Sequence, residues 1–247
     1  MSRLKGITGL LAALTVVLAA AGALCGAVSG LSRDASLYGA RSRETVRETM
    51  GLSSQEEVTA AIGLDAQAQE ALAQQIAEGM GRADADFALE PLNAREQAHL
   101  RDVRDLMLRL KSASKLCFSL AAALAVVIAW TGARLTKRRK TLLLGVAAGL
   151  GALLALSLLL VALLRGQGFA RLFAGAHELL FSNDLWLMNP ETDVLIRMMP
   201  QALFERAAAD AALGALRLFA AVGALLIAIE GLVGGMIRRH LAEEDKA

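Results

Sequence analysis

The chain has only two cysteines and three histidines in 247 residues, and neither set forms a metal-ligand pattern. Cys25 and Cys117 stand alone in separate apolar runs. That excludes a paired-cysteine zinc site and a disulfide framework, and hydrocarbon around a thiol opposes the thiolate a nucleophile needs. There is no glycine-rich loop to cradle phosphate, no H-E-x-x-H helix and no G-x-S-x-G elbow around a serine. Charge of one sign is also lacking: 26 basic and 24 acidic residues leave +2, which gives no reason to expect a nucleic-acid partner. Internal repeats and low-complexity linkers are absent as well.

What the chain has in abundance is apolar sequence. Hydrophobic residues make up 55 % of it, and mean hydropathy is +0.48. Runs at about 7–31, 114–133, 141–164 and 211–237 reach the ~20 residues that carry a helix across the hydrocarbon core. From Ile7 to Leu31, Leu116 to Ala133 and Thr141 to Leu164 there is no charged residue. The fourth run holds Arg217 and Glu230 near its ends, where long side chains reach the headgroups. Arg3 and Lys5 ahead of the first run also suit a secretory signal. That run is longer than a signal core, however, and Leu24 is too large for a lipoprotein cleavage box before Cys25, so a retained anchor is expected.

Orientation follows from the basic residues. Arg134, Lys137, Arg138, Arg139 and Lys140 crowd the loop 134–140, Arg3 and Lys5 precede the first run, and Arg238 and Arg239 follow the last. Positive-inside bias places this loop and both termini in the cytoplasm, and segments 32–113 and 165–210 outside. The expectation is an all-α fold: a polytopic membrane four-helix bundle with an extracellular helical cap, one integral membrane domain over residues 1–247. Uncharged spans disfavour a coupled transporter, which needs ionisable groups at the midplane.

In the first outer segment Asp65 reads as an N-cap, with Ala68, Leu72, Ile76 and Met80 recurring every fourth residue and Gly79 and Gly81 as a stop. A second helix is predicted to begin near Asn93, after Pro91, and to run into the second span. On it Glu96, His99 and Asp102 are spaced by three and share a face, so a carboxylate is placed to accept from one imidazole nitrogen. The bland alternative is an exposed helix whose acids pair with nearby arginines. In the second outer segment His177 lies among Phe169, Leu172, Phe173, Leu179, Leu180 and Phe181, which reads as a helix at the membrane surface ended by Asn183 and Asp184. Trp186 suits an interfacial anchor. Asn189-Pro190 marks a turn, with Asp193 capping or bracing the residues after it.

Anchoring does not account for His177, whose imidazole trades protons in both directions near neutral pH. Ser182 beside Asn183 lacks the surroundings of a nucleophile, and His240 follows two arginines as an ordinary surface residue. No two histidines sit at ligand spacing within one helix, so neither a metal nor a cofactor is expected.

Two blocks, E-Q-A-H-L-R-D-V-R-D-L from Glu96 and H-E-L-L-F-S-N-D-L-W-L-M-N-P-E-T-D-V-L-I-R-M-M-P from His177, give the chain a family likeness. It resembles the bacterial lipoprotein intramolecular transacylases, four-span proteins of the cell membrane. The second block is the more specific, and the order of spans agrees over most of the chain; 41–86 matches only in helical character. The resemblance implies transfer of the sn-2 acyl chain of a diacylglyceryl cysteine onto that cysteine's α-amine, giving an N-acyl lyso-form lipoprotein. It also implies diacylated lipoproteins and membrane lipid as partners, and His99 and His177 as catalytic residues at the outer face. Asp102, Asn183, Asp184 and Trp186 fall on matching motif positions, with Glu96 as a further supporting residue.

The chemistry agrees with that assignment. An attacking amine must shed a proton and a departing glyceryl oxygen must gain one, which imidazoles can do without an acyl-enzyme. His177 is preferred as the base, with His99 kept partly protonated by Glu96 and Asp102. The competing expectation is a non-enzymatic four-span scaffold or sensor with an outer helical cap.

Overall fold

The structure, a computed structural model, describes residues 2–132, 139–163, 168–217, 219–221 and 224, and these contain helices and connections but no strand. In chain order come α1 (Ser2–Leu31), α2 (Ala35–Tyr38), α3 (Ala40–Met50), α4 (Gln55–Ile62) and α5 (Ala66–Gly79). They are followed by α6 (Ala94–Gly132), α7 (Arg139–Leu163), α8 (Gly168–Leu180) and α9 (Val194–Met198). A further helix, α10, covers 201–217. The chain divides into two compact units, one from Met1–Val17, Ala123–Ala162 and Asp210–Ala247 and the other from Leu18–Ala122 and Leu163–Ala209.

Within the first unit small residues decide how closely helices approach. A Cβ on Gly145 of α7 would overlap the Gly9 carbonyl oxygen of α1, and one on Gly149 would lie 3.1 Å from the Val16 Cβ. Without a hydrophobic drive between helices in lipid, backbone approach of this kind supplies the packing energy. Gly145→Leu should therefore lower the thermal unfolding midpoint in detergent, at a cost of about 1–3 kcal/mol for overpacking. Gly151→Leu, where nothing lies within 4 Å of the added Cβ, should leave the midpoint in place. Equal midpoints for the two variants would remove this account of the contact.

Two stretches are long and apolar enough to cross a membrane, Gly9–Leu31 and Ala94–Ile128, and α7 carries a shorter one, Leu143–Leu159. In each of the two long stretches only 11 % of the most apolar window is buried within the protein, as suits a helix facing lipid rather than a soluble core. Residues 134–138 of the expected basic loop and most of the expected span 211–237 lie outside the described residues, while Arg139 and Lys140 belong to the start of α7.

The second unit has a core of its own, in which Val58, Ile62, Ile76, Phe87, Leu100, Met198 and Leu203 are almost wholly buried. The Asp65 side chain caps α5 by accepting from the Ala68 amide at 2.7 Å, as its sequence signature indicates. Helices α3 and α4 end on Gly51 and Gly63 at φ of 66° and 82°, a left-handed conformation that glycine adopts without strain. A buried polar chain ties α5 and α3 to α9. Gln69 donates to the Ser42 hydroxyl at 3.0 Å, and Ser42 in turn donates to the Met198 carbonyl.

Candidate active site

The site begins at the first turn of α6. Asn93 caps it, its Oδ1 accepting from the Glu96 amide at 3.0 Å, while Glu96 Oε2 accepts from the Asn93 amide at 2.8 Å. That is a reciprocal capping box. The other carboxylate oxygen, Glu96 Oε1, accepts from the Leu195 amide at 2.6 Å in the first turn of α9. One buried carboxylate thus closes the amino ends of two helices.

Asp193 precedes α9 but makes no side-chain cap to it. It accepts from Asn93 Nδ2 and from the Asn189 amide, both at 2.8 Å, holding the Asn189-Pro190 turn against α6. Burial raises the Asp193 pKa, but the Asn189 amide, the Thr192 hydroxyl, Asn93 and the charge of Arg95 outweigh it and hold the carboxyl below its usual value.

One turn beyond Glu96, His99 meets His177 of α8. Their ring centroids are 6.2 Å apart with planes at 28°. Residues 173, 177 and 181 stand four apart on one face of α8 and its exit. Phe173 lies 4.3 Å from the His177 ring, and Phe181 lies 5.5 Å from both imidazoles. The Trp186 ring lies 5.0 Å from that of His177. The opposite face of α8 leaves Leu172 and Leu179 exposed.

Both histidines line one cavity of about 470 Å³, within the range of small-molecule sites. Its wall is aliphatic, aromatic and methionine-rich, and its polar members besides the histidines are Tyr38, Trp186 and Gln201. Among the described residues it is lined by no serine, threonine, cysteine, lysine or carboxylate.

The two imidazoles are held differently. His177 Nδ1 lies 2.7 Å from the Phe173 carbonyl oxygen. A carbonyl only accepts, so Nδ1 carries a proton, and in the neutral ring this tautomer leaves the lone pair on Nε2. His99 is buried, and its Nδ1 has no hydrogen-bond partner. Burial first, and the neighbouring His177 second, push its pKa down to about 4, against a smaller opposing pull from Asp102. This corrects the expectation that Glu96 and Asp102 keep His99 partly protonated. Glu96 turns to backbone amides instead, and Asp102 accepts from Asn183 Nδ2 at 2.8 Å.

A depressed histidine pKa makes the unfolded chain the better proton binder between the two values. The folded state therefore has its full stability above about pH 6.5 and loses it as pH falls towards about 4. The expected loss over that window is roughly 3 kcal/mol. Unfolding of the wild type and of His99→Gln, compared from pH 7.5 to pH 4.5, should show a shallower decline in the variant. Parallel curves would mean that His99 does not titrate as its burial requires.

The remaining expected site residues act on the connection after α8. Asn183 Oδ1 also accepts from the Leu185 amide at 3.1 Å, so the Asp102–Asn183 pair fastens that turn to α6. Asp184 lies 3.3 Å from Arg95, whose guanidinium also donates to the Asp184 carbonyl. Trp186 is part of the cavity wall. Ser182 lies in a neighbouring polar cleft with Asp102, Asp105 and Arg109, outside the main cavity. Asn93 was not expected in this network, although N-x-x-E is a readable cap signature; Asp193, expected to cap or brace the residues after it, makes no side-chain cap and braces the turn before it. The F-x-x-x-H-x-x-x-F spacing likewise carried the aromatic enclosure of His177 without revealing what it encloses. Among the described residues no three His, Cys, Asp or Glu side chains gather to hold a metal. Both cysteines are free and half-buried.

The family described as lipoprotein intramolecular transacylase Lit matches residues 51–204. No curated protein matches the sequence. Among solved structures, the membrane-integral lipoprotein intramolecular transacylase Lit from Bacillus cereus is similar, with a TM-score of 0.64 at 16 % identity, over 94 % of this chain and 100 % of that one. A histidine-to-arginine variant of the same Bacillus cereus protein gives a TM-score of 0.59 at 17 % identity, over 94 % of this chain and 96 % of the other. At these identities the likeness concerns the fold.

Proposed function

The chain belongs to the lipoprotein intramolecular transacylase family Lit, acyltransferases of the membrane, and on that premise we propose that His99 and His177 together carry the acyl transfer. The sn-2 ester of a diacylglyceryl cysteine is placed in the cavity with its carbonyl carbon facing the cysteine α-amine. The amine nitrogen attacks that carbon, the bond to the glyceryl oxygen breaks, and an amide forms. One proton leaves the amine and one reaches the glyceryl oxygen, so the imidazoles finish as they began. His177 Nε2, which bears the lone pair in the neutral tautomer that the Phe173 contact favours, receives the amine proton. His99 stays neutral beside it, so the pair holds one proton rather than two and passes it to the leaving oxygen. Ester and amine belong to one molecule, and holding them together supplies much of the remaining acceleration.

The observation that carries this reading is the composition of the cavity: two stacked imidazoles in an apolar enclosure whose wall, among the described residues, holds no serine, threonine, cysteine or lysine to form an acyl-enzyme. The basic residues at 134–140 and near both ends support four spans, cytoplasmic termini and a reaction at the outer face. The test is mass spectrometry of a synthetic diacylglyceryl lipopeptide incubated in vesicles with the protein. The expected product has unchanged mass and an acylated amine. Recovery of unmodified amine alone would contradict the proposal.

A further inference from the structure

Four of the eight methionines of the chain, Met80, Met107, Met188 and Met199, line the cavity that holds the histidines. They come from four separate places: the end of α5, the middle of α6, the turn after α8 and the end of α9. Met80 is 2 % exposed, whereas the other three are half-buried. Among the described residues no acidic, lysine or arginine side chain lines the space.

Methionine is unbranched, turns about three bonds and carries a polarisable sulfur, so it fits its shape to whatever lies against it. Leucine or isoleucine at these places would make an equally apolar but stiffer wall. Because the imidazoles line the same cavity, an acyl carbonyl within their reach brings its own chain against these methionines.

We propose that the cavity accepts the migrating acyl chain whether straight, methyl-branched or cis-unsaturated, and that Met107, Met188 and Met199 provide this tolerance. The proposal rests on the transacylase reading and adds the class of chain that the site admits. Only one chain of the diacylglyceryl group needs the cavity. The migrating chain keeps its place there while its carbonyl exchanges oxygen for nitrogen.

The test uses the full-length protein in vesicles with three synthetic lipopeptides. They differ only in the sn-2 chain: straight saturated, anteiso-methyl-branched or cis-unsaturated at equal carbon number. A rigid pocket discriminates tenfold or more on a single methylene, whereas the wild type is expected to convert all three within about threefold. In the triple variant M107L/M188L/M199L the branched-to-straight ratio should fall by about tenfold.

Leucine nearly conserves methionine volume, and a ratio taken within one preparation is independent of how much protein is folded. Met107→Leu alone should move the ratio in the same direction if the triple variant fails to insert. Conversion of the straight chain with tenfold or greater rejection of the branched one would overturn the tolerance and leave the transacylase reading intact. An unchanged ratio in the leucine variants would overturn the role of the methionines. Conversion of none of the three would remove both.

Discussion

Replacing His177 by alanine lowers conversion of a diacylglyceryl lipopeptide by about 10²- to 10⁴-fold, the usual worth of a positioned proton-transfer group. His99→Ala has an effect of similar size. The double variant is little worse than either, because two groups serving one proton relay do not contribute additively. Neither substitution removes a hydrogen bond that fastens the fold. His177 bonds only to a carbonyl of its own helix, and His99 Nδ1 has no partner. Insertion and elution as a single species should therefore match the wild type. Ser182→Ala, Cys25→Ala and Cys117→Ala keep most of the activity, since none of these residues lines the cavity. An inactive Ser182→Ala, with an acyl adduct on Ser182 in the wild type, would make the mechanism covalent instead.

The second large effect belongs to Glu96. Alanine there leaves the Asn93 and Leu195 amides without their acceptor. A buried donor deprived of its partner costs about 1–3 kcal/mol, and two such losses take up a large part of the margin by which domains are folded. Glu96→Ala should therefore give little folded protein. Glu96→Gln keeps one oxygen for one amide but turns an N–H towards the other, so its melting temperature should fall between those of wild type and alanine. Its kcat should fall as well, because α9 carries Leu195 and Ile196 in the cavity wall. Asp102→Asn differs in kind. Its pair with Asn183 is exposed, and the expected loss of stability is about 0–1 kcal/mol. A Glu96→Gln protein with wild-type melting and no activity would give Glu96 a direct role in the chemistry.

Much of this was legible in sequence because the signals are local. The Asp65 cap, the start of α6 at Asn93 and the turn at Asn189-Pro190 each depend on residues within four positions, and they recur in the structure. The proximity of His99 to His177 was carried by the family likeness, since nothing within either segment specifies the other. Glu96 shows where local reasoning failed. Spacing by three put it on the face of His99, but a buried carboxylate is taken by whichever donors most need an acceptor, and two helix amino termini outcompete an imidazole. The charge state of His99 was misjudged for a related reason. Its nearest acids in sequence are visible, whereas its burial in the aromatic enclosure and its neighbour His177, 78 positions away, are not. Trp186 and the phenylalanines were legible as aromatic residues at a membrane surface, but which of them would face inward depended on α8 packing against α6.

The central claim is direct transfer within one substrate molecule, without an acyl-enzyme. It is tested by mixing two lipopeptides that differ in peptide mass and in the isotopic label of the sn-2 chain, then incubating them with the protein in vesicles. Mass spectrometry should find each peptide N-acylated only with the chain it brought, and the protein itself unmodified at every time point. N-acyl products with exchanged chains, or a protein carrying the label, would contradict the claim.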